Sequence, residues 1–265
     1  MARVTFGLGA AARAVAGWGA IIVLLLAWEV VARSGAVTAF MLPRLTDVLG
    51  RIAHDAIDGN LAEITALTLY RALTGFAIAA VGGIALGLAM SRSVGVRWFF
   101  DPLISVGFPM PKIAFLPIIV LWLGVYDVSK ISMVVFDAIF PVVTATLAGL
   151  AGVERELIWS ARNLGARERE LLWQVMLPAA LPQIMTGLQV ALPIALIVEI
   201  IAEMKMSGYG IGASMMTASR FADSRGVFAG ILEIAVIGYV LVKGMALVRR
   251  RLLAWHAEAQ EPSAA

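Results

Sequence analysis

Six runs of apolar residues, each long enough to cross a lipid bilayer, constrain the fold of this chain more than any other feature of its sequence. A membrane-spanning helix needs about 20 predominantly apolar residues. The runs lie near residues 15–33, 64–90, 102–126, 131–151, 178–203 and 226–248. Because 61% of the 265 residues are apolar, too few polar residues remain to cover the surface of a soluble domain. We therefore predict an all-α polytopic membrane protein with about six transmembrane helices, built as one domain over residues 1–265.

The distribution of basic residues predicts the orientation of these helices. With the N-terminus inside, the inner segments contain eleven Arg and Lys residues and the outer segments contain seven. Short cytoplasmic loops carry an excess of Arg and Lys, so both termini are predicted to be cytoplasmic. Arg3 and Arg13 precede the first run as they would in a signal sequence, but the run is long enough to span the membrane. We therefore predict an uncleaved first helix.

Prolines interrupt the third apolar run. Pro102, Pro109, Pro111 and Pro117 each lack a backbone donor, and each would clash with the preceding turn of a helix. Residues 102–111 are therefore not expected to form a regular helix. Irregular backbone at membrane depth is tolerated where it is buried in protein or lines a cavity.

Two further segments have clear helical patterns. Residues 45–57 place apolar side chains at spacings of three and four with charges opposite, which predicts an amphipathic helix on the outer membrane interface. In the second run a small residue recurs at every fourth position, at Gly75, Ala79, Gly83 and Gly87. This stripe predicts close approach by another helix.

A charged hairpin, the name used here for residues 152–177, separates the fourth and fifth runs. Its four arginines balance its four glutamates, which argues against binding to anionic lipid or nucleic acid. Residues 153–163 favour a helix, Gly165 suits the left-handed conformation that ends one, and residues 166–177 favour a second helix with one apolar face. The charged hairpin is predicted to project from the membrane on the cytoplasmic side and to contact another protein.

The charged hairpin resembles the cytoplasmic loop of ABC importer permeases. Gly165 is followed, after nine residues, by Val-Met-Leu-Pro at residues 175–178, which is similar to the "G, nine residues, I-x-L-P" pattern of that loop. Ser160 and Ala161 stand at the two alanines that precede the glycine in the motif, and Trp159 replaces its glutamate.

Further motifs resemble the nitrate, sulfonate, taurine and bicarbonate group of these permeases. Residues 109–114 match its P-x-P-K-I-A segment, residues 121–124 resemble its L-W-F-G segment, and residues 202–204 match its A-E-M segment. The resemblance implies one permease domain over residues 1–265, with the charged hairpin as a coupling helix-turn-helix between helices 4 and 5. It also implies a path for a small polar or anionic solute, such as a sulfonate or nitrate, that an extracytoplasmic binding protein delivers.

The resemblance carries over to site residues and partners. In the family this loop docks in a groove of the ATP-hydrolysing subunit. The predicted ATPase-coupling residues are Ser160, Ala161, Arg162, Asn163, Leu164, Gly165, Ala166, Arg167 and Glu168. Costly intramembrane charges and the broken third run predict a translocation path bordered by Phe108, Pro111, Lys112, Asp137, Glu199 and Glu203. The expected partners are a second copy of the chain, two cytoplasmic ABC ATPase subunits, the extracytoplasmic binding protein and the lipid of a bacterial cytoplasmic (inner) membrane.

No catalytic or metal site is predicted in this chain. None of its four lysines is followed by Ser or Thr, which excludes a Walker A loop, so ATP and Mg are expected in the partner ATPase and no cofactor is expected here. The sequence contains no cysteine, and His54 and His256 are far apart, so thiolate and paired-histidine metal sites are not expected.

Several alternatives remain open at the level of sequence. Arg71 needs a carboxylate or carbonyl partner, and the acids of the spans would form structural ion pairs if they faced Arg71, Lys112 or Lys243 instead of a path. An ion-coupled secondary transporter would use Asp137, Glu199, Glu203 or Glu233, and an intramembrane enzyme would need an acid pair such as Asp137 with Glu203. For a permease, a thiamine-precursor or flavin-like solute is the alternative substrate, and a related permease is the alternative to a second copy.

Overall fold

The computed structural model describes residues 10–57, 59–206 and 208–255, with side chains from residue 19 onward. Within these residues the regular structure is helical, which confirms the predicted all-α fold class. The helices are α1 Ala10–Arg33, α2 Leu45–Ile57, α3 Leu61–Arg92, α4 Val94–Gly107, α5 Leu116–Leu123, α6 Asp127–Ala151, α7 Arg155–Asn163, α8 Glu168–Glu170, α9 Leu177–Met206, α10 Ile211–Arg220 and α11 Ser224–Leu252. The predicted positions of both chain termini lie outside the described residues.

Among the residues that the structure describes, four helical segments are long and apolar enough to cross a membrane by themselves. They are α3, α6, α11 and the continuous helix of residues 168–206 that contains α8 and α9. A fifth candidate is the pair formed by α4 and residues 112–123, whose two parts are bent by 97° relative to each other. The first predicted run falls in α1, where the side chains of residues 10–18 lie outside the described set.

The centre of the fold is formed by α3, α6 and α9, whose contacting faces contain small residues. A Cβ atom added at Gly75 would lie 2.6 Å from Val134 Cβ, and one at Gly83 would lie 2.8 Å from Val142 Cβ. Both distances are shorter than real carbon contacts, so only glycine allows α6 to pack this closely on α3. The prediction that the small-residue stripe serves helix packing is confirmed.

The prediction for residues 102–111 is wrong over its first half, because α4 continues through Pro102 to Gly107. A single proline costs the helix one hydrogen bond and a bend, and α4 tolerates this. The break falls instead at residues 108–111, where two prolines lie two positions apart. All residues of α4 are at least partly exposed, so this helix lies at the edge of the protomer.

Two other local features differ from the predicted pattern. The second helix of the charged hairpin does not end at Pro178, because residues 171–176 form a π-helical turn that leads directly into α9. There Leu177 N–H donates to the carbonyl of Leu172, five residues earlier, and the wider turn relieves the clash of the Pro178 ring. In addition, residues 211–220 form α10, a helix that the sequence analysis did not predict.

Candidate functional site

The turn of the charged hairpin is closed by a well-defined helix stop. Helix α7 ends at Asn163, and Gly165 follows with φ of +86°. Gly165 N–H donates to the carbonyl of Arg162 at 2.9 Å, and Ala166 N–H donates to the carbonyl of Ala161 at 3.1 Å. These two bonds form a Schellman motif, which needs a left-handed residue at the glycine position. The sequence-based assignment of Gly165 as the helix stop is therefore confirmed.

Apolar contacts hold the base of the charged hairpin against the helical core. Leu171 and Leu172 are buried, and Ile158 and Met176 pack against a cluster that contains Leu150. The turn is thus attached to the ends of α6 and α9 through side chains, and a force on the turn would reach both helices.

The predicted coupling residues form the exposed end of this hairpin. Seven of them are exposed, and the two alanines, Ala161 and Ala166, are half-buried. Leu164 has 87% of its surface exposed at the tip. The exposed pair Arg162–Glu168, at 2.9 Å, closes the turn from outside but contributes little stability.

The charged hairpin also exposes apolar residues that lie outside the predicted coupling residues. Leu157, Trp159 and Trp173 are about half exposed on the charged hairpin. Nothing in the sequence distinguished Leu157 and Trp173 from apolar residues that face a core, and Trp159 was noted only as the replacement for the motif glutamate. Together with Leu164 they expose apolar area within a highly charged segment, a combination found at protein-binding sites.

A second group of predicted residues surrounds the ammonium group of Lys112, at the break after α4. Lys112 Nζ lies 3.2 Å from Asp137 Oδ1 and donates to the carbonyl of Phe108 at 2.7 Å. Its distance to the centre of the Phe140 ring is 4.8 Å, and to that of the Phe108 ring 5.6 Å. The side chain of Lys112 is buried, while that of Asp137 is 22% exposed.

Phe140 was not predicted, because nothing in the sequence relates an aromatic residue of α6 to a lysine in another run. It stacks edge-on with Phe136, which in turn meets Phe115. The rings of Phe108 and Phe140 lie beside the Lys112 ammonium and present π-faces that attract cations. Pro111 immediately precedes Lys112 and takes an extended conformation that directs the chain into the following short helix.

The remaining two predicted residues belong to a separate buried cluster around Arg71. Arg71 Nη1 lies 2.9 Å from Glu203 Oε1 and donates to the carbonyl of Tyr209 at 2.7 Å. Arg71 Nε donates to Asp127 Oδ1 at 2.9 Å, and a carboxylate oxygen of Glu199 lies 4.0 Å from Arg71 Nη1. Of the three carboxylates, those of Glu199 and Glu203 have no exposed surface.

The Arg71 cluster also fixes the loop before α10. Glu203 accepts a hydrogen bond from Gly212 N–H at 3.0 Å and from Thr68 Oγ1 at 2.9 Å. Gly210, with φ of +137°, lies directly against the Glu203 carboxylate, so a side chain has no room there. The structure thus separates the predicted path residues into an Arg71 cluster inside the protomer and a Lys112 group at the α4 break. In this conformation Glu199 and Glu203 do not reach the surface, and their place in a path stays a prediction.

A cavity of about 420 Å³ opens on the far side of this loop. Its lining includes Glu233, Asp55 and Arg51, and Arg51 bridges Asp55 at 2.8 Å to Asp223 at 2.9 Å. The cavity therefore lies between α2, α10 and α11. Sequence reasoning named Glu233 only as an acid for the alternative carrier mechanism.

Comparisons with known proteins agree on one class of membrane protein. Residues 79–254 match the family model of the binding-protein-dependent transport system inner membrane component. The chain is 35% identical over 247 residues to the taurine transport system permease protein TauC of Escherichia coli K12, covering 91% of this chain and 90% of TauC. It is 33% identical over 233 residues to the putative aliphatic sulfonates transport permease protein SsuC of Bacillus subtilis 168, covering 88% of this chain and 84% of that protein. Among solved structures, an inward-facing form of the MetNI methionine ABC transporter superposes with a TM-score of 0.65 at 14% identity, covering 72% of this chain and 95% of that one, which shows a shared fold.

Proposed function

Because this chain belongs to the family of binding-protein-dependent transport system inner membrane components and is a permease of an ABC importer, we propose that it conducts a small sulfonate or similar organic anion. In this proposal a separate cytoplasmic ATPase drives transport through the charged hairpin. The substrate class is supported by two relatives, one named for taurine and one for aliphatic sulfonates.

The observation that carries the coupling proposal is the exposed, Schellman-closed turn at Gly165. A rigid turn with an apolar tip at Leu164 provides a defined shape for a groove on another protein. Residues 160–168 would contact the ATPase, and ATP and Mg would bind only to that partner. Because Ile158 and Met176 anchor the charged hairpin to the helical core, movement of the ATPase would shift α6 and α9.

The Lys112 ammonium supplies a positive charge, which a path for anions needs. Phe108, Pro111, Lys112 and Asp137 would border the path at the break after α4, where the backbone is irregular and the Phe108 carbonyl accepts a hydrogen bond from Lys112. We assign Glu199 and Glu203 to the same path, deeper in the protomer than Lys112. In this conformation both residues belong to the Arg71 cluster, which holds the loop before α10.

The proposed assembly contains two copies of this chain, two ATPase subunits and one extracytoplasmic binding protein. On the outward face of α4 and α5, Trp98, Leu121 and Trp122 are 76–81% exposed. This exposure supports the proposal that a second copy of the chain, or lipid, covers that face. We place the assembly in a bacterial inner membrane with the charged hairpin and both termini in the cytoplasm. Apolar side chains exposed on this scale need lipid or protein to cover them.

Reconstitution in liposomes tests this function. Permease, ATPase and binding protein together should take up radiolabelled 2-aminoethanesulfonate or an alkanesulfonate when ATP is present. Omitting any one component, or using an ATPase unable to hydrolyse ATP, should abolish uptake. Uptake driven by a proton or sodium gradient in permease-only liposomes would instead establish the secondary-transporter alternative. ATP hydrolysis by the purified permease alone would contradict the proposal that a separate subunit hydrolyses ATP.

A further inference from the structure

The loop before α10, residues 208–210, lies between the cavity of about 420 Å³ and the Arg71 cluster. On one side all three of its residues line the cavity. On the other side the carbonyl of Tyr209 accepts a hydrogen bond from Arg71 Nη1 at 2.7 Å, and a Cβ atom built at Gly208 lies 3.4 Å from Lys130 Nζ. The loop therefore separates the cavity from the buried carboxylates of the Arg71 cluster.

Two further hydrogen bonds hold the start of α10 in place. Ile211 N–H donates to Thr68 Oγ1 at 3.1 Å, and Gly212 N–H donates to Glu203 Oε2 at 3.0 Å. Both acceptors are side chains of the core helices α3 and α9. Opening of the loop breaks these two bonds, and it also frees Arg71 Nη1 from the carbonyl that it binds in this conformation.

The loop has the backbone freedom that such a movement needs. Gly208 and Gly210 stand on either side of Tyr209 and have φ of +107° and +137°. Glycine enters and leaves this region of φ without the steric cost that a Cβ atom brings, so changes in a few dihedral angles can move the loop as a hinged segment. A small cavity of about 60 Å³ already lies against Glu203, so water can reach this carboxylate once the loop moves.

Glu199 offers Arg71 a second carboxylate. Its side chain has no exposed surface, and among the described residues neither of its oxygens takes part in a hydrogen bond. A buried polar group without a partner is rare, because nothing compensates its loss of hydration. Glu199 lies one turn before Glu203 on α9, and its Oε1 is 4.0 Å from Arg71 Nη1. A shift of about 1 Å brings these two atoms within hydrogen-bond distance.

The opposite edge of the Arg71 guanidinium provides a fixed point for this exchange. Asp127 Oδ1 lies 2.9 Å from Nε and 2.6 Å from Nη2, on the side away from the two glutamates' shared atom Nη1. This edge keeps its partner when Nη1 turns from Glu203 to Glu199. The exchange thus leaves no part of the guanidinium without a carboxylate.

We propose that the loop before α10 is a gate between the cavity and the Arg71 cluster, and that Glu199 is the carboxylate to which Arg71 turns when the gate opens. In the closed gate Arg71 binds Glu203 and the Tyr209 carbonyl. In the open gate Arg71 binds Glu199, and Glu203 meets the water of the cavity. Glu203 therefore favours closing and Glu199 favours opening. The gate adds a moving part to the permease and does not depend on the identity of the solute.

Hydrogen–deuterium exchange of the full-length permease in lipid nanodiscs tests the gate. The amides of Ile211 and Gly212 are protected in the closed gate and exchange when it opens. Glu203→Gln weakens the closed state and should speed their exchange on the order of tenfold. Glu199→Gln removes the charged partner of the open state and should slow their exchange by a similar factor. A cluster that only stabilises the fold would not give opposite effects for two glutamates one turn apart.

A matched control and a substitute variant complete the test. Glu63→Gln removes an exposed carboxylate from the first turn of α3 and should leave the exchange unchanged. If Glu203→Gln fails to fold, Thr68→Val replaces it, because it removes the acceptor of Ile211 N–H and should also speed exchange at Gly212.

Three results would overturn the proposal. They are faster or unchanged exchange in Glu199→Gln, loss of the folded permease in that variant, and no acceleration in the variant that weakens the closed gate. In each case Glu199 and Glu203 do not act in opposite directions on the loop. The measurement needs neither ATPase nor solute, so its outcome is separate from the reconstitution test of the proposed function.

Discussion

Replacing Gly165 by valine separates folding from coupling more cleanly than any other change in this chain. The residue has φ of +86°, and among the described residues no atom beyond its chain neighbours lies within 4 Å of a Cβ built there. A Cβ atom at this position therefore meets no other part of the described protomer. Its cost in folding free energy is the strain of a β-branched residue in the left-handed region, about 1–2 kcal/mol.

That cost is local. If the backbone keeps its conformation, the two hydrogen bonds of the Schellman motif remain, and α3, α6 and α9 are untouched. A loss of about 1–2 kcal/mol corresponds to a fall of only a few degrees in the midpoint of thermal unfolding for a chain of this size. At a hot spot of a close-packed interface, by contrast, disrupting one side chain costs about 2 kcal/mol or more, or roughly thirtyfold in affinity.

The assay measures assembly and transport in the same preparation. Gly165→Val permease should be monodisperse and close to wild type in thermal unfolding, while ATPase co-elution and ATP-driven uptake fall strongly. Gly165→Asn is the matched control for strain, because asparagine tolerates the left-handed conformation yet also adds bulk. We expect Asn to lose coupling nearly as much as Val, with a smaller effect on stability.

Two results would refute this reasoning. If both variants assemble and transport at the wild-type rate, the turn does not lie in an interface. If Val alone fails and its thermal unfolding collapses, then backbone strain rather than docking explains the phenotype.

Three further predictions concern the helical core and the path. Arg71→Met should lower the free energy of unfolding by about 3–5 kcal/mol, since it removes the cation that pairs with the buried Glu203 carboxylate. Adding Glu203→Gln should restore part of this stability, as measured by thermal unfolding. A double variant as unstable as the sum of the two single variants would argue against the ion pair. Gly83→Ala should destabilise by about 1–3 kcal/mol because its Cβ meets Val142, whereas Gly82→Ala, with its nearest neighbour at 3.7 Å, should be tolerated, and equal effects would contradict the packing described here. Phe108→Cys should react with a membrane-impermeant maleimide during ATP turnover, and reaction with permeant reagents alone would place the residue outside an aqueous path.

The long helices could be predicted because the length of an apolar run and the spacing of small residues are local properties of the sequence. The stripe from Gly75 to Gly87 predicted a close helix contact, and the structure identifies α6 as the partner. The stop at Gly165 was equally predictable, since the left-handed conformation favours glycine at one position only.

Long-range pairing could not be predicted from local pattern. Arg71 was expected to need a carboxylate, but its partners Asp127 and Glu203 lie 56 and 132 positions away. Which carboxylates pair with Arg71 depends on how α3, α6 and α9 pack. The length of an apolar run does not determine that packing. The aromatic contact of Lys112 with Phe140 was missed for the same reason.

Proline rules were correct in kind but wrong in position. Pro102 lies inside α4, and Pro178 lies inside a continuous helix that a π-turn makes wide enough. In both cases, bending or widening the helix costs less free energy than ending it. The rule correctly predicted a break only where Pro109 and Pro111 follow each other closely.

Crosslinking from the tip of the charged hairpin tests the central claim most directly, because the sequence contains no cysteine and a single introduced thiol is unique. Leu164→Cys permease, labelled with a maleimide photocrosslinker and assembled with its ATPase and binding protein, should yield an adduct with the ATPase subunit on illumination. Ile57→Cys, 80% exposed at the end of α2 on the predicted outer side, is the matched control and should yield no ATPase adduct. An ATPase adduct from Ile57, or none from Leu164 in a complex that transports, would contradict the account.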